Sequence, residues 1–83
     1  MEIRRFTLSL LVNNRFGVLT RVSGLFSKRG YNINAINVVE LGDPALASMV
    51  IASAGDAHTE DQICKQLLKL HDVLKVTVLE NGM

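Results

Sequence analysis

Phe6-Thr7-Leu8-Ser9-Leu10-Leu11-Val12-Asn13-Asn14-Arg15-Phe16-Gly17-Val18-Leu19 changes its hydrophobic period half-way along. Phe6, Leu8, Leu10 and Val12 alternate with Thr7, Ser9 and Leu11, the period of two that a strand with one buried face requires. This spacing predicts a strand over residues 5–12. The polar run from Asn13 to Gly17 breaks it, and from Val18 the apolar positions Val18, Leu19, Val22, Leu25 and Phe26 follow helical spacing. Lys28 and Arg29 suit the negative end of that helix, and Gly30 is placed to adopt a left-handed cap.

Beyond Gly30, Ile33, Ile36, Val38 and Val39 predict a second strand over residues 31–41, with a change of phase between Ile33 and Ile36 of the kind a bulge produces. Gly42-Asp43-Pro44 has turn chemistry, and residues 46–53 read as a third strand in a hairpin with the second. Thr59 and Gln62 form a T-x-x-Q capping box before Ile63, Leu67 and Leu70, with Asp61 and Lys65 as an i,i+4 pair and His71 at the helix end. Residues 73–80 alternate again as a fourth strand, leaving Asn81-Gly82-Met83 as a tail. The order βαββαβ implies an α+β, ferredoxin-like sandwich, a four-stranded antiparallel sheet with two helices on one face. Leu11, Val39, Leu46, Val73 and Leu79 are left over for the other face, and an apolar surface of that kind calls for a second subunit.

Eighty-three residues, 48% of them apolar, make a single domain over residues 1–83. A net charge of +1 lacks the basic footprint that nucleic acid or an anionic membrane would need. No stretch is long and apolar enough to span a bilayer, no leader is evident, and the mature chain is expected to begin at Met1. One cysteine, Cys64, forms no internal disulfide, so a reducing cytoplasm is the expected location. His58, His71 and Cys64 stand apart, which leaves no metal cluster, no catalytic residue and no cofactor site in this chain. The C-x-x-C of metal carriers is missing, as are the aromatic platforms of RNA-binding sandwiches.

The Asn13–Arg21 segment is the place where a ligand could bind. A helix start carries unpaired amides and partial positive charge, and this one has no Asp or Glu in its first turn, while Arg21 adds a cation. An anion such as a carboxylate fits, with Gly17 allowing close approach; the competing reading is an ordinary start capped by Asn14. Asn32, Asn34 and Asn37 are poor strand formers whose amides could meet both ends of a zwitterion, or could simply solvate an edge strand.

The run Gly17-Val18-Leu19-Thr20-Arg21-Val22-Ser23-Gly24-Leu25-Phe26-Ser27-Lys28-Arg29-Gly30-Tyr31-Asn32-Ile33, with the preceding Leu10 to Phe16, resembles the ACT domain of the small regulatory subunit of acetohydroxyacid synthase (acetolactate synthase). The likeness continues more loosely through Asp43-Pro44, Met49-Val50-Ile51 and residues 67–76. It implies a non-catalytic subunit that binds valine, leucine or isoleucine at a homodimer interface. That subunit would activate and feedback-regulate a large catalytic subunit carrying thiamine diphosphate, Mg and FAD. By position, the resemblance implies that Asn14, Gly17, Val18 and Leu19 hold the carboxylate and line an aliphatic pocket, with Asn32 and Ile33 coming from the second copy. Phe16 stands where the family commonly has proline or a small residue, and Asn13 where an acid is frequent, so the pocket is expected to be narrower or tuned differently. Length resembles the short type of small subunit or an excised domain. A free-standing ACT sensor for another enzyme, and an acylphosphatase-like hydrolase using Arg15 and a strand asparagine, are the competing functions. Gly17→Asp is expected to fill the anion site while leaving the helix nearly as stable, or slightly more so.

Overall fold

A computed structural model describes residues 3–79 of the chain. In chain order the elements are β1 (Arg4–Asn13), α1 (Val18–Lys28), β2 (Ala35–Glu40), β3 (Leu46–Gly55), α2 (Ala57–Leu68) and β4 (Val73–Leu79). They form an antiparallel sheet of order β2-β3-β1-β4, the expected ferredoxin-like arrangement. The register places Leu8 opposite Ile51 and Leu10 opposite Met49, so one face of the central strands is continuous apolar surface. Both helices cover it: Val18, Val22 and Phe26 of α1 and Ile63 and Leu67 of α2 are buried against Phe6, Leu8, Leu10 and Val12. Each such large side chain contributes roughly 1.5–3 kcal/mol by leaving water.

The end of α1 is as expected. Arg29 is its C-cap, and Gly30 follows at φ +73°, the left-handed conformation that glycine adopts at low cost. The segment after it differs from expectation. Strand pairing starts only at Ala35, so Tyr31–Ile33 form an anchored loop and the change of phase marks a loop-to-strand junction rather than a bulge. Tyr31 looks like a strand residue in sequence because it packs edge-on against Phe26 at 6.2 Å between ring centres, and Ile33 because it packs on the core.

The cap of α2 also differs. Asp56, not Thr59, is the N-cap: its Oδ1 accepts from the Thr59 amide at 2.8 Å, placing Thr59 and His58 in the first turn. A carboxylate is the stronger acceptor for the positive helix end. His71 lies in the turn after α2.

On the open face, Leu11 and Leu46 are half-buried and Val39 and Leu79 exposed. Val73 is the exception, 6% exposed in the core. Between Leu11, opposite Lys75, and Val12, opposite Val73, the ladder slips by one residue. Leu74 is the extra residue of this bulge, which turns Val73 inward. The fourth strand's expected last residue, Glu80, and the tail Asn81-Gly82-Met83 lie outside the described residues.

Candidate functional site

Between β1 and α1 the chain is tied down on both sides. The Asn13 amide donates to the Asp72 carbonyl and the Asn14 amide to the Ala45 carbonyl, each at 2.8 Å. Asn14 Nδ2 donates at 3.0 Å both to Glu40 Oε2 and to the Pro44 carbonyl. Asn14 therefore clamps the loop to the β2–β3 hairpin and does not cap α1. Gly17 is the N-cap, in the left-handed region at φ +89°, and makes no side-chain capping bond. The first turn contains no acid. The Val18 amide reaches the Arg15 carbonyl at 3.3 Å, while the amides of Leu19 and Thr20 have no intrahelical partner. Space in front of Gly17 is open, since a Cβ there would meet nothing within 4 Å. The left-handed φ nevertheless counts against the expectation that Gly17→Asp leaves the helix as stable or more so, because L residues are strained at that backbone conformation, by roughly 1–2 kcal/mol in general and by less for Asn and Asp.

Of the six site residues read from the sequence, four gather at this loop: Asn14, Gly17, Val18 and Leu19. Leu19 is 47% exposed beside the open amides, whereas Val18 turns into the core at 4%. Asn32 and Ile33 are found past the far end of α1, whose 11 residues span about 16 Å at 1.5 Å each. In a single copy the two groups of candidate residues thus lie at opposite ends of one helix. The edge strand β2, which follows Asn32 and Ile33, is exposed at all six residues, Ile36, Val38 and Val39 included.

Comparison with known proteins decides the family. Residues 8–75 match the model of the AHAS small subunit-like ACT domain. The chain belongs to that family. It is 50% identical over 78 residues to the acetolactate synthase isozyme 3 small subunit of Escherichia coli, covering 94% of this chain and 48% of that protein. The acetolactate synthase small subunit of Haemophilus influenzae is 49% identical over 75 residues, 90% of this chain and 46% of that one. The crystal structure of the Thermotoga maritima small subunit superposes with a TM-score of 0.87 at 43% identity, covering 95% of this chain and 49% of that one. This ACT domain spans about half the length of the relatives it matches. An ACT domain of GTP pyrophosphokinase from Chlorobium tepidum shares the fold alone, with a TM-score of 0.79 at 17% identity over 98% of this chain and 91% of that one. Membership places the chain with non-catalytic, regulatory small subunits.

Within the ACT domain, two residues that the sequence reading passed over anchor the two groups of candidate residues. Asp72 and Ser53 are the buried polar residues among those described. Asp72 Oδ2 accepts from Arg21 Nη1 at 2.7 Å and Oδ1 from Asn13 Nδ2 at 3.2 Å, with Arg15 Nε at 3.7 Å. Ser53 Oγ donates to the Asn32 carbonyl and fixes the other group. Neither role has a local signal, since the partners lie 51 and 59 residues from Asp72 and 21 from Ser53. Arg15, the candidate phosphate-binding arginine of a hydrolase, is engaged with Asp72, and of the three asparagines read into the second strand Asn37 lies on β2 whereas Asn32 and Asn34 precede it. Burial, and then the charges of Glu60 and Asp61, push the Cys64 thiol above its ordinary range, opposite to what a nucleophilic cysteine needs. Among the described residues no three metal-ligating side chains come together, and no helix is long and apolar enough to cross a membrane.

Proposed function

We propose that this ACT domain serves a regulatory subunit of acetolactate synthase and binds valine, leucine or isoleucine between two copies of itself. The observation that carries the reading is the start of α1: uncapped, free of acid in its first turn, and presented by a loop anchored on both sides. A bound amino acid's carboxylate would accept from the Leu19 and Thr20 amides, where helix polarity favours negative charge. Its ammonium would lie by Asn14, whose amide oxygen is an acceptor and whose bonded neighbour Glu40 supplies a negative charge that sequence reading missed. The aliphatic side chain would rest on Leu19 of one copy and Ile33 of the other, beside Asn32. Separation of the two half-sites along α1 supports a homodimer joined through β2 and α1, which would also cover the exposed edge strand.

In this role the dimer would activate and feedback-regulate a large, thiamine-diphosphate-dependent catalytic chain carrying Mg and FAD, in the cytoplasm. The small subunits named above support such a partner.

Thr20→Glu tests the site without touching the strained glycine. Thr20 is exposed at the third position of α1, so a carboxylate there complements the helix by about 0.3–1 kcal/mol while competing with the ligand. Calorimetry is expected to show a branched-chain amino acid binding the wild type and at least about tenfold weaker binding to the variant, with a melting temperature equal or higher. A wild-type protein that binds none of the three amino acids at millimolar concentration would refute the sensing role.

A further inference from the structure

The outer surfaces of α1 and α2 leave a groove between them, one end of which borders the β1–α1 loop. One hollow of about 350 Å³ is floored by Gly24, Leu25 and Leu70 and bordered by Arg21, Lys28, Arg29 and Gln66. Arg21 also lines a second hollow of about 410 Å³, with Arg15, Phe16, His71 and Asp72. The two therefore meet at Arg21. Four of the chain's nine Lys and Arg residues (Arg15, Arg21, Lys28, Arg29) line this path, and its one acid, Asp72, is buried beneath Arg15 and Arg21. Neither Lys28 nor Arg29 has an acidic partner among the described residues. A net charge of only +1 is thus distributed unevenly: the helix side carries a stripe of four cations against one acid, with Lys28 and Arg29 unpaired by any acid among the described residues.

We propose that this groove docks an acidic, amphipathic segment of a partner protein. Its acidic side chains would pair with Lys28, Arg29 and the outer faces of Arg21 and Arg15, and its apolar ones would sit on Gly24, Leu25 and Leu70. The apolar floor and the wholly exposed Phe16 at one end favour a polypeptide over a phosphate backbone, because aromatic and arginine side chains dominate protein interfaces. Gly24 matters here: a Cβ at that position would meet nothing within 4 Å, so the floor is open for a partner side chain. The partner is the large catalytic chain, an assignment that rests on the function proposed above; the groove itself rests on charge and shape.

The test is retention of the full chain on a tagged large subunit from the same organism. Lys28→Glu/Arg29→Glu is expected to weaken retention at least about 30-fold and Phe16→Ala about fivefold. Lys75→Glu, on the open sheet face, should leave it unchanged, and added salt should weaken the wild type far more than the double variant. All these side chains are exposed, and circular dichroism melts verify folding. Equal retention of wild type and double variant overturns the groove while the subunit reading stands. If the wild type is not retained, that reading fails, and a fluorescent 16-residue peptide repeating Glu-Leu-Glu-Ala decides the groove. Binding of the peptide that the double variant abolishes upholds it. No binding, equal binding by both proteins, or equally tight binding of duplex DNA overturns it.

Discussion

The two helices of this domain begin in opposite ways. At α2 the Asp56 carboxylate accepts the Thr59 amide, and Glu60 adds a second negative charge in the first turn. The Thr59 backbone bond, then its hydroxyl, holds the Asp56 carboxyl below its ordinary value of 3.8. At α1 a left-handed glycine occupies the same position, no side chain caps the turn, and nearby acids are directed elsewhere: Asp72 to Arg21, Glu40 to Asn14. A start completed from within holds a helix; a start left incomplete on a rigid loop has its binding capacity in reserve. The contrast teaches that a site is recognised by what its surroundings decline to satisfy, as much as by the groups it presents.

The largest break in that contrast should come from Asp72→Ala. Hydrogen bonds to a charged group are worth about 1.5–3 kcal/mol, and the released guanidiniums, both more than half exposed, would be rehydrated rather than stranded. Denaturant unfolding is therefore expected to show a loss of about 2–3 kcal/mol, with weakened amino-acid binding as the loop loosens. A loss below about 0.5 kcal/mol would mean that the loop is held by its backbone bonds alone.

Next comes Gly17→Ala, which makes α1 start on a residue disfavoured at φ +89° and is expected to cost about 1–2 kcal/mol; Gly17→Asn should cost less, because asparagine tolerates that region. Equal stabilities for all three proteins in urea would show that the turn relaxes out of the left-handed region.

Asp56→Ala should have the smallest effect, a lowered melting temperature at neutral pH. Because the folded carboxyl titrates below 3.8, its contribution is complete above that value and disappears as the pH falls through the lower folded value. The gap between wild type and variant in thermal melts should thus narrow as the pH falls below 3.8. A gap constant with pH would assign the effect to lost packing rather than to charge.

Hydrophobic period made the six elements legible, because the alternation of Phe6, Leu8, Leu10 and Val12 and the helical spacing of Val18, Val22 and Phe26 are local consequences of facing one core. The cap of α2 was misread because Asp56 and Thr59, three residues apart, are both good capping types. Packing chooses between them: a Cβ on Gly55 would stand 2.7 Å from Thr59 Cγ2, so the strand end already abuts Thr59 inside the first turn. Tyr31 and Ile33 misled for a related reason, since burial in a loop and burial in a strand leave the same mark on sequence. At the candidate site, the loop-to-helix change drew attention to Gly17 and the family resemblance to Leu19, whereas Asp72, Ser53 and Glu40 act across long sequence separations that no local pattern records.

The double anchoring of the β1–α1 loop has a mechanical side. Asn14 ties it to the hairpin that ends one edge strand, β2, and Asn13 ties it to the turn that launches the other, β4, while the loop itself grows from the central strand β1. It is a yoke across the end of the sheet. A load applied at the start of α1 would therefore be shared with the two outer margins of the sheet as well as with the interior that Val12 and Val18 reach, so both flanks of the domain would feel a pull at one point.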